Sequence, residues 1–251
     1  SEIEALPRFP ENIVALQKMI EDPNSEIAEI ARQVSTDPSL TADLLKLVNS
    51  AQFMLPKKVD NIVEAVKMVG MRGLRNLLFF HGTQKILGNE TAETKRLWEH
   101  SYRTAFYAYQ LARSVTRKKE ILDDVYVGGI LHDMGKIIFS SVHPELIEKI
   151  HGFCREKGIQ EEIFEDLAAG LNHSEIGAMI AEKWNFPDAL VAAIKYHHTP
   201  TTAPMEFRDV VFTVYLANGL THYGEKTLGI DQLEPAVLKY FNIGSEAQLG
   251  Q

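Results

Sequence analysis

The sequence predicts an all-α protein. Three observations lead there: apolar residues recur with helical period through most of the chain, no stretch alternates apolar and polar residues as a half-buried strand would, and the gaps between apolar stripes hold capping and turn residues. At 251 residues, with ordinary Gly and Pro content and no low-complexity tract, the chain can bury a substantial core as one large or two small domains.

Taken in order, stripes over Ile13 to Ile20 and Ile27 to Val34 predict two short helices separated by "DPNS". Asp37 can then cap a helix whose first turn accommodates Pro38, and Leu40, Leu44 and Val48 follow at i, i+4 and i+8. That spacing predicts a helix over 37–49. Further stripes at Ile62 to Val69 and Leu74 to Ile86 are bounded by breaks at "LPKK" and "MRG". The polar, turn-rich "LGNETAET" at 87–94 is read as a boundary between two parts, residues 1–93 and 94–251. A plain interhelical loop is the alternative there. Beyond it, helices are expected over 95–115, 122–134, 144–157, 160–170, 173–185, 187–198, 207–222 and 231–241.

A net charge of −8 and a pI near 5.6 argue against a chain that grips nucleic acid through its overall field. Lys57, Lys58, Lys67, Arg72 and Arg75 form the one basic cluster, and the interspersed Asp60 and Glu64 make it a set of solvated helix faces. The longest apolar run, "VVFTVYLA", is too short to cross a bilayer. With one cysteine, Cys154, and no apolar leader before the first helix, the expected compartment is the cytoplasm and no membrane partner is expected.

Nine histidines are present, and several fall on inward faces. Leu97, His100, Thr104, Tyr107 and Leu111 form one stripe; His173, Gly177, Ile180 and Trp184 form another. Leu190 and Ile194 lead to the pair His197–His198, which Pro200 leaves at a helix C-terminus. The dipeptide His132–Asp133 closes an apolar segment, "GGILHDMGK". A single histidine on an apolar face is usually a core residue bonded to a carbonyl, but imidazoles and a carboxylate turned inward on four helices is how metal sites are built in bundles. Mixed nitrogen and oxygen donors point to one or two ions of iron, manganese, zinc or nickel. His81, His143, His151 and His222 show no such pattern and are read as surface or ordinary packing residues.

The succession of His100, His132–Asp133 with Gly135–Lys136, His173 with Gly177, and His197–His198 resembles the HD superfamily of metal-dependent phosphohydrolases, nearest to its HD-GYP branch. The N-terminal part, with "LPRFPENIVALQKMI", "STDPSLTADLLKLVNSAQF" and "NIVEAVKMVGMRGLRNLLF", resembles the HDOD domain, a bacterial HD-related output domain. The resemblance covers roughly residues 6 to 220. It implies a helical bundle packed on an HD-like half and a regulatory role in signal transduction, with a signalling protein or a nucleotide as partner.

The same resemblance implies metal ligands at His100, His132, Asp133, His173, His197, His198 and, where active phosphohydrolases carry an aspartate, Asn218. Asn218 supplies only a neutral oxygen, so the sub-site it serves is expected to be weaker than the one built on Asp133, His173, His197 and His198. Arg96 stands where some relatives have an acidic residue, and "TPTTAP" replaces the Gly-Tyr-Pro loop. The resulting expectation is a signalling module that acts by protein interaction and keeps a metal centre. The alternative is a phosphohydrolase in which Asp133 bridges two metals and Lys136 neutralises a phosphate oxygen, although Lys136 can also be read as complementing a helix ended by Gly135. A third idea, a nucleic-acid reader in the N-terminal helices, has the net charge against it.

Overall fold

A computed structural model describes residues 8–50, 57–88, 91–116, 118–142, 152–154, 156–157, 172–225 and 229–245. Among these residues there are helices and turns and no strand. The chain separates into two compact units, Ser1–Ile86 and Leu87–Gln251.

The first unit contains α1 (Glu11–Glu21), α2 (Ile27–Val34), α3 (Pro38–Val48) and most of α4 (Ile62–Leu87). Asp37 caps α3 by accepting from the backbone amides of Ser39 and Leu40, and Leu40, Leu44 and Val48 are fully buried. The break expected at "MRG" is instead a kink one residue earlier. Gly70 adopts φ 77° and ψ 170°, a conformation glycine reaches without a Cβ penalty, and helix resumes through Met71 to Gly73. Of the two readings of His81, surface or packing, the second holds: it is buried, with Nδ1 2.6 Å from Asp43 Oδ2.

The second unit holds α5 (Ala92–Val115), α6 (Lys119–Leu131), α7 (Met134–Val142), α8 (His173–Lys183), α9 (Asp188–Tyr196), α10 (Arg208–Gly224) and α11 (Pro235–Tyr240). Thr91 and Thr94 cap α5 reciprocally. The buried face of α5 is wider than the expected stripe: Thr104 is buried as expected, but Trp98, Ser101, Ala105, Ala108 and Ala112 also point inward while Tyr107 is 37% exposed. Small residues decide this, because a Cβ on Gly129 of α6 would lie 2.7 Å from the Ala105 Cα. Helix–helix approach that close favours the alanine face over the bulkier one. Ala108, Ala112, Val125, Ala193, Val210, Val214 and Ala217 form a core shared by α5, α6, α9 and α10.

Helix α6 ends at Leu131, three residues before its expected end, so Gly135 lies inside α7 and terminates nothing. Helix α11 starts at Pro235, after a short 3-10 turn at Ile230–Gln232, where a helix from 231 is expected. Helices expected over 144–157 and 160–170 fall largely outside the described residues, as do His143 and His151. No described helix is long and apolar enough to cross a membrane.

Candidate metal centre

Local sequence fixes each donor before tertiary packing brings them together. His132 is the C-cap of α6, and Asp133 lies in the turn leading to α7. His173 opens α8, held in place by a reciprocal cap between Asn172 and Glu175. His197 is the C-cap of α9, and helix does not continue because Pro200 begins a 3-10 turn. His100 comes from the middle of α5 and Asn218 from α10.

Two glycines then let the donor-bearing helices meet. A Cβ on Gly135 would collide with the His173 carbonyl oxygen, and one on Gly177 would lie 2.9 Å from Ile194. Both positions require glycine for close approach, which puts α7, α8 and α9 in contact directly beside the histidines.

Asp133 is the centre of the arrangement. Its Oδ1 lies 3.3 Å from His173 Nε2 and 3.4 Å from His197 Nε2. Its Oδ2 lies 3.4 Å from His132 Nε2, 3.8 Å from His100 Nε2 and 3.2 Å from Lys136 Nζ. His173 Nε2 is also 3.1 Å from His198 Nε2. Two donor sets result, Asp133–His173–His197–His198 and His100–His132–Asp133, and within each the donor atoms lie no more than 4.8 Å apart. Asp133 is common to both. Asn218 Oδ1 accepts from His100 Nε2 at 2.9 Å, so the amide stands at the edge of the second set.

The proton positions favour a cation between these groups. A carbonyl only accepts, so the 2.7 Å contacts of His132 Nδ1 with Gly129 O and of His197 Nδ1 with Ile194 O place a proton on each Nδ1. Each neutral ring then presents a lone pair at Nε2, as in histidines oriented for metal binding. The short approach of His197 Nε2 to Asp133 Oδ1 is therefore acceptor facing acceptor. Consistent with this, His132 Nε2 and Asp133 Oδ1 are buried without a hydrogen-bond partner. Orphaned acceptors of this kind are rare in folded proteins, and a cation in each of the two donor sets satisfies them.

Electrostatics set the same protonation states. Burial pushes His132 well below the usual imidazole range, and burial together with neighbouring His198 brings His197 down to about 3. Burial opposes ionisation of Asp133, but the Lys136 ammonium beside it, the largest of the opposing influences, helps hold the carboxyl well below the usual range. Neutral imidazoles around an anionic carboxylate are the forms that bind metal. Lys136 is itself buried, so its ammonium faces the cluster, where a residue merely completing a helix end would face solvent.

His222, read from the sequence as a surface or packing residue, stands beside this cluster, its ring 4.8 Å from that of His100. Burial and His100 lower its pKa from the ordinary value. Arg96 is exposed on α5 and is not a donor.

Fold and site together define the class: an all-helical domain with a buried histidine–aspartate donor cluster. Residues 6–200 match the HDOD domain, and the chain belongs to that family. It is 36% identical over 247 residues to an uncharacterized protein of Treponema pallidum (strain Nichols), with 98% of this chain and 48% of the relative covered. The chain thus spans about half the length of that curated relative. Among solved structures, a proposed phosphohydrolase from Shewanella amazonensis SB2B superimposes with a TM-score of 0.74 at 25% identity, covering 96% of this chain and 86% of that one. An HDOD domain protein of unknown function from Geobacter sulfurreducens gives 0.72 at 24% identity, covering 97% and 82%.

Proposed function

We propose that the chain is a regulatory output domain of bacterial signal transduction that acts by binding a signalling protein, and that the Asp133 cluster holds one or two transition-metal ions as a structural or regulatory centre. The observation that carries this reading is the charge balance of the cluster. Among the described residues Asp133 is the one carboxylate of the buried donors, and Asn218 offers a neutral oxygen beside His100. A single anion shared by two dications leaves the second weakly held. His173, His197, His198 and Asp133 would hold the tighter ion, with His100, His132, Asp133 and Asn218 around the weaker one. Nitrogen-rich donors suit iron, manganese, zinc or nickel better than magnesium or calcium.

A second reading, phosphoester hydrolysis, is favoured by one specific feature: Lys136 is buried, with Nζ 3.2 Å from Asp133 Oδ2. A bound metal would supply an activated water, and Lys136 would orient a phosphate oxygen and neutralise its charge. The proposed phosphohydrolase from Shewanella supports this alternative by analogy.

The two separate experimentally. Protein prepared without chelator is analysed for bound metal, loaded with manganese or iron, and assayed on p-nitrophenyl phosphate and its bis ester. The expected result is bound metal lost in Asp133→Asn, with no ester turnover that depends on Asp133. Turnover abolished by Asp133→Asn and impaired by Lys136→Ala selects the hydrolase reading, and a chain that binds none of the four metals refutes the metal centre.

A further inference from the structure

Helix α10 carries more than Asn218 toward α5. Asn218, His222 and Glu225 occur at i, i+4 and i+7, a spacing that aligns them on one face of a helix. Three independent contacts fix that face against α5. Asn218 Oδ1 accepts from His100 Nε2 at 2.9 Å, the Thr104 and Thr221 hydroxyls meet at 3.1 Å in the buried interface, and Glu225 Oε1 accepts from Arg103 at 2.6 Å. With Oε1 engaged by Arg103, the other carboxylate oxygen, Oε2, turns toward His222 and lies 3.9 Å from its Nδ1. His100, His222 and Glu225 each offer one donor atom, and the three donors lie within 4.8 Å of one another.

We propose that His100, His222 and Glu225 form a further cation site, at the solvent side of the Asp133 cluster, for a borderline divalent transition metal. This rests on the reading that the Asp133 cluster binds metal and extends it. The anionic oxygen missing at Asn218 is supplied two turns further along the same helix face by Glu225, so the weaker ion of that reading is drawn outward, away from His132 and Asp133 and toward His222 and Glu225. Two imidazoles and one carboxylate are a common three-ligand set for such an ion, leaving a position open to water. The hydrogen bond from His100 Nε2 to Asn218 contributes directly. It puts a proton on Nε2 directed at Asn218, so while that bond stands His100 gives no Nε2 lone pair to the His100–His132–Asp133 set, and Nδ1 is the lone-pair nitrogen of the ring. Arg103 orients the carboxylate but also lowers its attraction for a cation, so the outer site is the weaker of the two. His222 and Glu225 side chains are 34% and 30% exposed, which gives the ion a path from solvent.

The test is titration of the full metal-free chain with Co(II), read by its visible d–d absorbance and by the paramagnetically shifted imidazole proton signals. Wild type should bind two classes of ion. His222→Ala and Glu225→Gln should each weaken the outer class at least tenfold and leave the inner class intact, while Asp133→Asn should abolish the inner class and spare the outer. Glu225→Gln is a conservative change at a helix end, so a folding defect in His222→Ala leaves the test decisive. A single class of bound cobalt, or an outer class indifferent to both α10 variants, overturns the proposal while leaving the Asp133 centre standing. Failure of wild type to bind any cobalt overturns both.

Discussion

Gly135→Ala joins the packing of the fold to the chemistry of the site. In most helices the substitution stabilises by about 1 kcal/mol, because alanine restricts the unfolded chain and favours helix. Here the added Cβ would strike the His173 carbonyl oxygen and lie 2.7 Å from the His173 carbonyl carbon and 3.1 Å from the Gly177 amide nitrogen. All three obstacles are backbone atoms, so no rotamer change relieves them and α7 must move from α8. Overpacking of this kind costs about 3 kcal/mol, which leaves a net loss of about 2 kcal/mol after the propensity gain. With a urea m-value of about 3 kcal/mol/M, the unfolding midpoint should fall by about 0.7 M in far-UV circular dichroism.

The same displacement draws His173 from Asp133, now 3.3 Å away, so metal affinity should fall at least tenfold in an equilibrium dialysis measurement. Gly152→Ala is the control. A Cβ there meets nothing within 4 Å among the described residues, and the variant should be as stable as wild type or slightly more so. A Gly135→Ala protein with wild-type midpoint and wild-type metal affinity would show that the close approach of α7 and α8 is not what builds the centre.

Other expectations follow from charge. Asn218→Asp should raise affinity for the second metal about tenfold, since it sets an anionic oxygen where a neutral one lies 2.9 Å from His100 Nε2; metal stoichiometry after dialysis measures it. At Asp37, burial raises the carboxyl, but Lys85 and the Leu40 amide outweigh it and bring it from 3.8 to about 2. The stability this lends the first unit is complete above the unfolded value and lost as pH falls through about 2. After discounting for solvent screening, it amounts to about 1 kcal/mol. Asp37→Asn keeps an N-cap oxygen but removes the charge, so urea unfolding should show that difference near neutral pH and only a small remnant of it at about pH 2. Finally, a cyclic dinucleotide incubated with the manganese-loaded chain should remain intact, by chromatography, because the Gly-Tyr-Pro loop is absent and Asn218 is uncharged.

Much of the local structure was legible because it depends on near neighbours in sequence. The Asp37–Pro38 cap, the Leu40–Leu44–Val48 stripe and the His173–Gly177–Ile180–Trp184 face each follow from helix period and terminal chemistry alone, and all of these apolar positions are buried. What failed depends on distant partners. The spacing Leu97, His100, Thr104, Tyr107, Leu111 is a valid helical stripe and does carry His100 and Thr104 inward, yet Tyr107 is exposed and the alanines are buried because α6 presents Gly129 to them. Periodicity identifies a face; only the facing helix decides between two faces one residue apart. The alternative in which Gly135 ends a helix fails for the same reason, since helix termination and close approach both call for glycine and the sequence near it does not distinguish them.

His222 shows where a different question would have reached further. Searching for histidines on apolar stripes passes over it, because its surroundings "GLTHYGEK" are mixed and it lies near a helix end. Starting from the weak point instead, Asn218, and asking what shares its face leads to His222 at i+4 and Glu225 at i+7 without any coordinates. The structure adds what spacing cannot: that Thr104 and Thr221 lock this face onto α5, and that Arg103 holds one Glu225 oxygen so that the other faces His222. A ligand lost by substitution in a helical metal site is most cheaply replaced on the same helix face one or two turns away, where backbone geometry already directs a side chain toward the same partner. On that reasoning the departure at Asn218 and the presence of His222 and Glu225 are one feature of this chain, and a variant restoring aspartate at 218 should make the outer pair less important for binding the second ion.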